Sequence, residues 1–296
     1  MPHCRTMCSS SPSRRWMGDN AMSGIFNVLS AILEGNRGFD CVVYLIKGMQ
    51  WQLRKRLGHS FVCNLDNGAA VQVHPSTAYS GIFYARNPEG DDMLFLRKHC
   101  ALTDTFVDVG ANVGLFSASL FDCFKKVICF EPAPSSFRAL SETCALNPQV
   151  ACELHNIGVG AEPGELYFDD QYDFSTTSRF VPEAGENTIR VAIDTLDNVL
   201  GVDGESLVMK IDVEGFEEQV FAGADKLFAA QRVKLLMFER LGRTNLESVR
   251  GFLEQRGYTI FRVISGLHTT TDEAAIAEPC INLFACPAEL YPELAS

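Results

Sequence analysis

No Cys-x-x-Cys pair occurs in the 296 residues, although the chain has 11 cysteines. A zinc site built on paired thiolates therefore lacks support. The cysteines are odd in number and scattered, many of them in apolar runs such as Val127-Ile128-Cys129-Phe130. They read as small core residues rather than a disulfide framework, and a reducing cytoplasm is the expected compartment. Basic residues are also in deficit. The 25 Lys and Arg face 37 Asp and Glu, giving a formal net charge of −12. A nucleic-acid binder shows a basic stripe, and none is visible, so no nucleic-acid partner is expected. The longest basic cluster, Arg54-Lys55-Arg56, reads as one solvated helix face. Long apolar runs are missing as well. The best stretch, Ala21 to Leu33, has 13 residues and reads as a buried helix rather than a bilayer span, so no membrane partner is expected.

What is present fits a globular protein: 47% hydrophobic and 21% charged residues, in a length that suits one large domain with an added N-terminal element. Residues 1–20 read as a disordered tail. Their lack of acids before Asp19, with Arg5, Arg14 and Arg15 among serines, also admits a short targeting segment. Residues 21–100 read as a helical and strand extension. Ser23 to Gly58 is mostly helical in pattern, with Ser23 as N-cap. Val71, Val73 and the Tyr79–Tyr84 stretch suggest short strands. Gly90 to Cys100 suggests a helix burying Met93, Leu94 and Leu96.

From residue 101 onward strands alternate with helices. Strands are expected at Thr105–Val109, Lys126–Phe130, Ala151–Val159, Leu207–Val213, Val233–Phe238, Tyr258–Ile264 and Ile281–Cys286. Helical spacing links Val113, Phe116, Leu120, Phe121 and Phe124. Pro134 opens a helix that Asn147-Pro148 stops. Val220, Ala224, Leu227 and Phe228 mark another, and Thr244 with Glu247 forms a capping box for the next. Such alternation predicts a doubly wound, mostly parallel seven-stranded sheet in an α/β domain. Gly266–Pro279 is too polar for a crossover helix, so the last two strands should pair antiparallel. An insertion at about 160–192 carries two further strands, Glu165–Phe168 and Thr188–Ile193.

Asp108-Val109-Gly110-Ala111-Asn112-Val113-Gly114 joins the first strand of the domain to its helix. Ligands of such sheets bind at the carboxyl ends of the strands, where glycines let backbone approach closely. A helix N-terminus there favours an anion, either the carboxylate of a methionine-bearing donor or the pyrophosphate of a dinucleotide. The dinucleotide fingerprint needs a middle glycine, and Asn112 occupies that place. Glu131, 23 positions after Asp108 and at the end of the second strand, is placed to accept hydrogen bonds from ribose hydroxyls.

Four segments make this chain resemble the FkbM family of methyltransferases: Phe106–Gly114, Phe130-Glu131-Pro132-Ala133-Pro134, Leu154–Gly160 and Lys210-Ile211-Asp212-Val213-Glu214-Gly215. The likeness runs from about Tyr84 to Glu239, and the last segment is its most specific piece. It implies a class I fold, S-adenosylmethionine as methyl donor, and O-methylation of a hydroxyl on a small acceptor such as a secondary metabolite or sugar. By position it implies that Asp108, Gly110, Asn112 and Gly114 surround the methionine part of the donor. Glu131, followed by Pro132, would hold the ribose, and Asn156 and Ile157 would border the adenine.

Asp212 and Glu214 close the fourth strand, near the middle of the sheet. A hydroxyl is a poor nucleophile, and a carboxylate can take its proton, so Asp212 is the first candidate base and Glu214 the second. Helix capping by these acids is the bland alternative. They could also hold a divalent metal, but no third ligand is identifiable and no metal is expected. Glu239 closes the fifth strand and is a candidate for lining the acceptor pocket, with Arg240 as a structural partner. His268, between the last two strands, is a further candidate base, and His155 reads as a core histidine. Asp169-Asp170-Gln171-Tyr172-Asp173 resembles a diphosphate–magnesium motif but follows a strand rather than lying in an all-helical bundle. Two other functions remain: a nicotinamide-dependent dehydrogenase, and a non-catalytic module that kept the fold. The N-terminal 100 residues and the insertion are expected to build the acceptor pocket.

Overall fold

The computed structural model describes residues 32–33, 38–75, 90–169, 179–242, 244–278 and 281–296. The Ser23 cap, the Tyr79–Tyr84 strand and most of the aspartate-rich motif lie outside the described residues.

The first long element is helix α1, Phe39–Leu57, ended by Gly58 in the left-handed conformation. A hairpin follows, β1 (Phe61–Asn64) and β2 (Ala70–Val73), paired antiparallel. Then come helix α2 (Gly90–Lys98), strand β3 (Thr105–Val109), helix α3 (Leu115–Ala118), β4 (Lys126–Phe130), helix α4 (Pro134–Ala145) and β5 (Ala151–His155). The insertion holds β6 (Gly158–Val159), β7 (Gly164–Asp169), β8 (Arg179–Val181) and β9 (Thr188–Asp194). Helix α5 (Leu196–Leu200), β10 (Leu207–Ile211), helices α6 (Glu217–Ala222) and α7 (Asp225–Ala229), and β11 (Val233–Arg240) continue the alternation. The chain closes with α8 (Leu246–Gln255), β12 (Tyr258–Ile264), β13 (His268–Thr270), α9 (Glu273–Ala277), β14 (Ile281–Pro287) and α10 (Tyr291–Leu294).

The main sheet runs β13-β12-β14-β11-β10-β3-β4-β5. Strands β5, β4, β3, β10 and β11 pair in parallel, and β14 is antiparallel to both β11 and β12. This is the expected seven-stranded α/β sheet with its antiparallel closure, plus one short edge strand, β13. The expected polar link 266–279 thus contains both a strand and a five-residue helix, and that helix buries Ile276 against the second face of the sheet, contrary to the expectation that the link was too polar to pack there.

One face of the sheet packs against α2, α3, α4 and the hairpin through Phe95, Phe106, Phe116 and Leu140. The other packs against α5 to α8 through Leu196, Phe221, Phe228 and Leu253. The helix after β3 therefore goes to one face and the helix after β10 to the other. Adjacent strands whose crossovers diverge leave a crevice at their carboxyl ends.

Several expectations shift in detail. The helix after β3 is only four residues long, because turns take over at Ser119; Leu120, Phe121 and Phe124 are nonetheless buried. In α2 Phe95 is buried in place of Leu94, whose side chain is exposed. The strand expected at Ala151–Val159 breaks after His155, and Gly158–Val159 joins β9 in the four-stranded insertion sheet. The run Val220–Phe228 divides into two short helices at Gly223, where a Cβ would lie 2.0 Å from Gly160 O. Helix α8 is capped by Asn245, whose side chain accepts from Ser248 N–H. Thr244 instead donates to Glu217, so the expected capping box does not form.

The hairpin is tied to α4 by buried Asn147, whose side chain donates to Ala70 O (2.6 Å) and accepts from Ala70 N–H (2.9 Å). A polar side chain with little exposure that satisfies both groups of one strand residue holds that strand in register. Thus the N-terminal extension leans on the domain from the side of α4.

Candidate active site

Three backbone segments meet at the crevice: the loop after β3, the end of β4, and the turn after β10. The first is drawn tight by its own amides. Gly110 and Ala111 N–H both donate to Phe130 O at 3.0 Å, and Gly114 N–H donates to Ala111 O. Gly110 and Gly114 have φ of +81°, and Asn112 has +51°. A non-glycine residue at positive φ persists only where surroundings hold it, and Asn112 is held at both ends. Its N–H donates to Glu131 Oε2 at 2.8 Å, and its Oδ1 accepts from Val113 N–H at 2.8 Å.

Glu131 is almost fully buried and accepts twice from backbone, from Asn112 and from Ala133 N–H (2.8 Å). Burial pushes its carboxyl up to about 7, against the pull of those two amides. Each carboxylate oxygen retains acceptor capacity, which suits a ribose diol. Asn156, behind it, donates to Glu131 O (2.8 Å) and Pro132 O (3.2 Å). Its amide thus shapes the Glu131-Pro132 turn, while Ile157 is half-buried just beyond. His155 is not a core histidine: it stacks on Phe130 and shares a hydrogen bond with Glu153 (2.9 Å).

Asp108 has no exposed surface. It can touch no ligand, contrary to the direct contact implied by position, and acts only through what it holds. One oxygen accepts from Ser117 Oγ (2.6 Å) and the other from Lys210 Nζ (3.2 Å). Buried Lys210 is the residue sequence reasoning passed over as a mere motif letter. Its ammonium also reaches Gly110 O (3.4 Å) and Asp212 Oδ2 (3.5 Å), with the Phe116 ring centroid 5.3 Å away. A single buried cation therefore joins β3, the loop and the β10 turn.

Strand β10 ends at Ile211, two residues short of the expected bound, and Asp212 to Gly215 form a turn. Asp212 N–H donates to Val109 O (3.0 Å). Glu214 has φ +54°, so it does not follow the strand alternation expected to set it beside Asp212. The turn itself brings them together, and Glu239 from β11 completes a trio. One carboxylate oxygen from each of Asp212, Glu214 and Glu239 lies within 4.8 Å of the others. The register explains Glu239: Ile211 pairs with Phe238, so the next residues of both strands are neighbours. This is the third carboxylate that sequence spacing could not supply. Together the three can draw a proton or balance a positive charge. The turn is pinned from below by fully buried Glu217, which accepts from Gly215 N–H (2.9 Å) and Thr244 Oγ1 (3.1 Å) and is pushed up by burial. No sequence signal marked Glu217.

His268 stands apart. It begins β13, at the sheet edge four strand spacings from β10, about 19 Å away. It pairs in register with Ile264 and cannot serve as base at Asp212.

The Methyltransferase FkbM domain description matches residues 108–260, just over half of the chain. The chain belongs to the FkbM methyltransferase family. Two curated relatives are fungal. Methyltransferase sdnD of Sordaria araneosa is 27% identical over 194 residues, covering 53% of this chain and 74% of that protein. Methyltransferase 1 of Beauveria bassiana (strain ARSEF 2860) is 25% identical over 187 residues, covering 60% of this chain and 71% of that protein. Among solved structures, a SAM-dependent methyltransferase from Agrobacterium tumefaciens aligns at 10% identity and a TM-score of 0.43, covering 78% of this chain and 71% of that one.

This FkbM-family enzyme uses S-adenosylmethionine. Its residues fit that donor. Gly110 lets the loop after β3 pack directly against the turn after β10, since a Cβ there would lie 1.9 Å from Asp212 O, and this close approach shapes the donor loop. The Glu131 carboxylate sits at the end of β4 against that loop, which it meets at Asn112 N–H.

With Glu131 as the expected ribose ligand, donor binding should depend on pH. A raised carboxyl favours its neutral form in the free protein. Its stabilising effect is full below the ordinary 4.5 and is lost as pH rises through about 7. Ribose hydroxyls would donate to the charged form, so donor affinity should rise with pH and level off above about 7. Titration calorimetry between pH 5.5 and 8.5 reads this. A flat profile in the unaltered protein, or the same slope in Glu131→Gln, would refute the assignment.

Proposed function

We propose that this methyltransferase transfers the methyl group to a hydroxyl oxygen of a small molecule in the cytoplasm. The observation that carries the reading is the carboxylate trio Asp212, Glu214 and Glu239, set against the donor loop at the switch point. The donor supplies a methyl group activated on a sulfonium. Asp212 stands directly behind Gly110 of the donor loop, its carbonyl oxygen occupying the place a Cβ would take there. It orients the acceptor hydroxyl and takes its proton as the oxygen–carbon bond forms and the sulfur–carbon bond breaks. Lys210, at 3.5 Å, holds that carboxylate in place. Fixed geometry lowers the entropic part of the barrier, which is where a methyl transfer gains most from its protein. Glu214 and Glu239 border the acceptor, and the N-terminal extension with the insertion shapes the rest of its pocket. The net charge of −12 disfavours a nucleic-acid acceptor. All eight described cysteines are free thiols, which supports a reducing compartment.

Two measurements test this. Incubating the protein with methyl-labelled donor and a small-metabolite pool should place label on oxygen; label on nitrogen, carbon or RNA would refute the reading. With the labelled acceptor in hand, Asp212→Asn should lower kcat about 10²–10⁴-fold with donor affinity unchanged. Unaltered kcat would remove Asp212 from the chemistry.

A further inference from the structure

Helix α1 is apolar on two opposite faces. One side carries Tyr44, Gly48 and Trp51, which are buried, with Trp51 packed against Phe61 at 6.1 Å between ring centroids. The other side carries Phe39, Val42, Ile46, Met49, Leu53 and Leu57, each at least half exposed. Their spacings of three and four residues place them on one stripe, about 180° from the buried face. A 19-residue helix makes that stripe about 28 Å long. Surface apolar residues are ordinary when scattered, but a continuous stripe along one helix marks a contact surface.

Charge decides what the stripe meets. The helix carries Lys47, Arg54, Lys55 and Arg56 against a single acid, Asp40. A second copy packed in parallel would set these cations against their own kind, three of them in the last turn. The asymmetry extends beyond the helix. Residues 1–57 contain eight Lys and Arg and three Asp and Glu; the remaining 239 contain 17 and 34 (25 less 8, 37 less 3). The N-terminal part is therefore +5 on a protein of −12. An exposed apolar face flanked by basic side chains is the pattern of a helix that lies in a lipid–water interface and prefers anionic headgroups.

We propose that α1 docks this enzyme on the surface of an anionic phospholipid membrane, with the Phe39–Leu57 stripe among the acyl chains and the basic side chains at the phosphates. This revises the expectation of no membrane partner. Among the described residues no helix is long and apolar enough to cross a membrane, but lying in the surface needs neither property. The active site is on the domain and turns over without the docking, which sets where the acceptor is met.

Co-sedimentation of the full chain with phosphatidylcholine vesicles, with and without phosphatidylserine, tests the proposal. Binding should require phosphatidylserine and fall with added salt. The triple variant Ile46→Glu, Met49→Glu, Leu53→Glu should lose it while keeping donor affinity and thermal stability. The variant Arg54→Gln, Lys55→Gln, Arg56→Gln should weaken it on the order of 100-fold, from about fivefold per charge. Failure to bind phosphatidylserine vesicles overturns the proposal, as does equal binding by the glutamate variant. So does a dimer in light scattering that the glutamate variant abolishes, which would give the face to a second copy.

Discussion

Lys210→Met should cost this protein about 3–5 kcal/mol of folding stability, because it leaves Asp108 charged, fully buried and without its cation. Domains of this kind have about 5–15 kcal/mol in all, so the loss is a large fraction. The cost comes from the abandoned partner, not from the worth of the pair. Removing both charges together should therefore recover most of it. The double variant Lys210→Met, Asp108→Asn keeps an acceptor for Ser117 Oγ and buries no unpaired charge. Its denaturation midpoint should return close to the starting value. Donor affinity should not return, because Lys210 also ties Gly110 O and Asp212 to one point. Urea titration of the single and double variants, alongside donor titration, separates the two effects. A single variant as stable as the parent, or a double variant with full donor affinity, contradicts the role given to Lys210.

Gly110→Ala is expected to abolish productive donor binding, with a loss of about 100-fold or more. Two constraints act at once. The φ of +81° disfavours any L side chain, at about 1–2 kcal/mol. The new Cβ would also lie 1.9 Å from Asp212 O and 3.0 Å from its carbonyl carbon. Both clashing atoms are backbone, so relief requires the loop after β3 to separate from the turn after β10. That movement would break the contact of Asp212 N–H with Val109 O and displace the carboxylate trio. Gly68 supplies the control. Its φ is +85°, yet a Cβ there meets nothing within 4 Å. Gly68→Ala should show the conformational cost alone, with donor affinity unchanged. Equal effects of the two substitutions would mean that close approach at Gly110 has no functional weight.

Both predictions rest on contacts between segments about a hundred positions apart, which shows how far a linear reading reaches. The parallel strands were legible because they are buried on both faces and read as apolar runs closed by turns: Thr105–Val109 and Lys126–Phe130 match residue for residue. The antiparallel closure of Tyr258–Ile264 with Ile281–Pro287 was legible, although its premise of a link too polar for a packed helix was not met, since α9 buries Ile276 there. Helix ends were less so. Thr244 satisfied a capping pattern that Asn245 fulfils in fact, since the hydroxyl has a stronger demand from buried Glu217.

The sequence by itself determined the class of sheet, the glycine loop with its acid at the next strand, and the family likeness. Each is read from short local segments, such as the Gly110–Gly114 loop and the Phe130-Glu131-Pro132 strand end. Only the tertiary structure decided what those residues do. It withdrew Asp108 from any ligand, because burial leaves it no surface. It removed His268 from the site, because sheet order puts the edge strand four spacings away. It added Lys210, because strand register sets it beside Asp108, and Glu217, because burial at the start of α6 turns it onto Gly215 N–H; register also sets Glu239, already a pocket candidate, beside Asp212. It also divided α1 into a buried and an exposed apolar face, which composition alone cannot distinguish. An active site here is a property of register and burial, and neither is written at any single position of the chain.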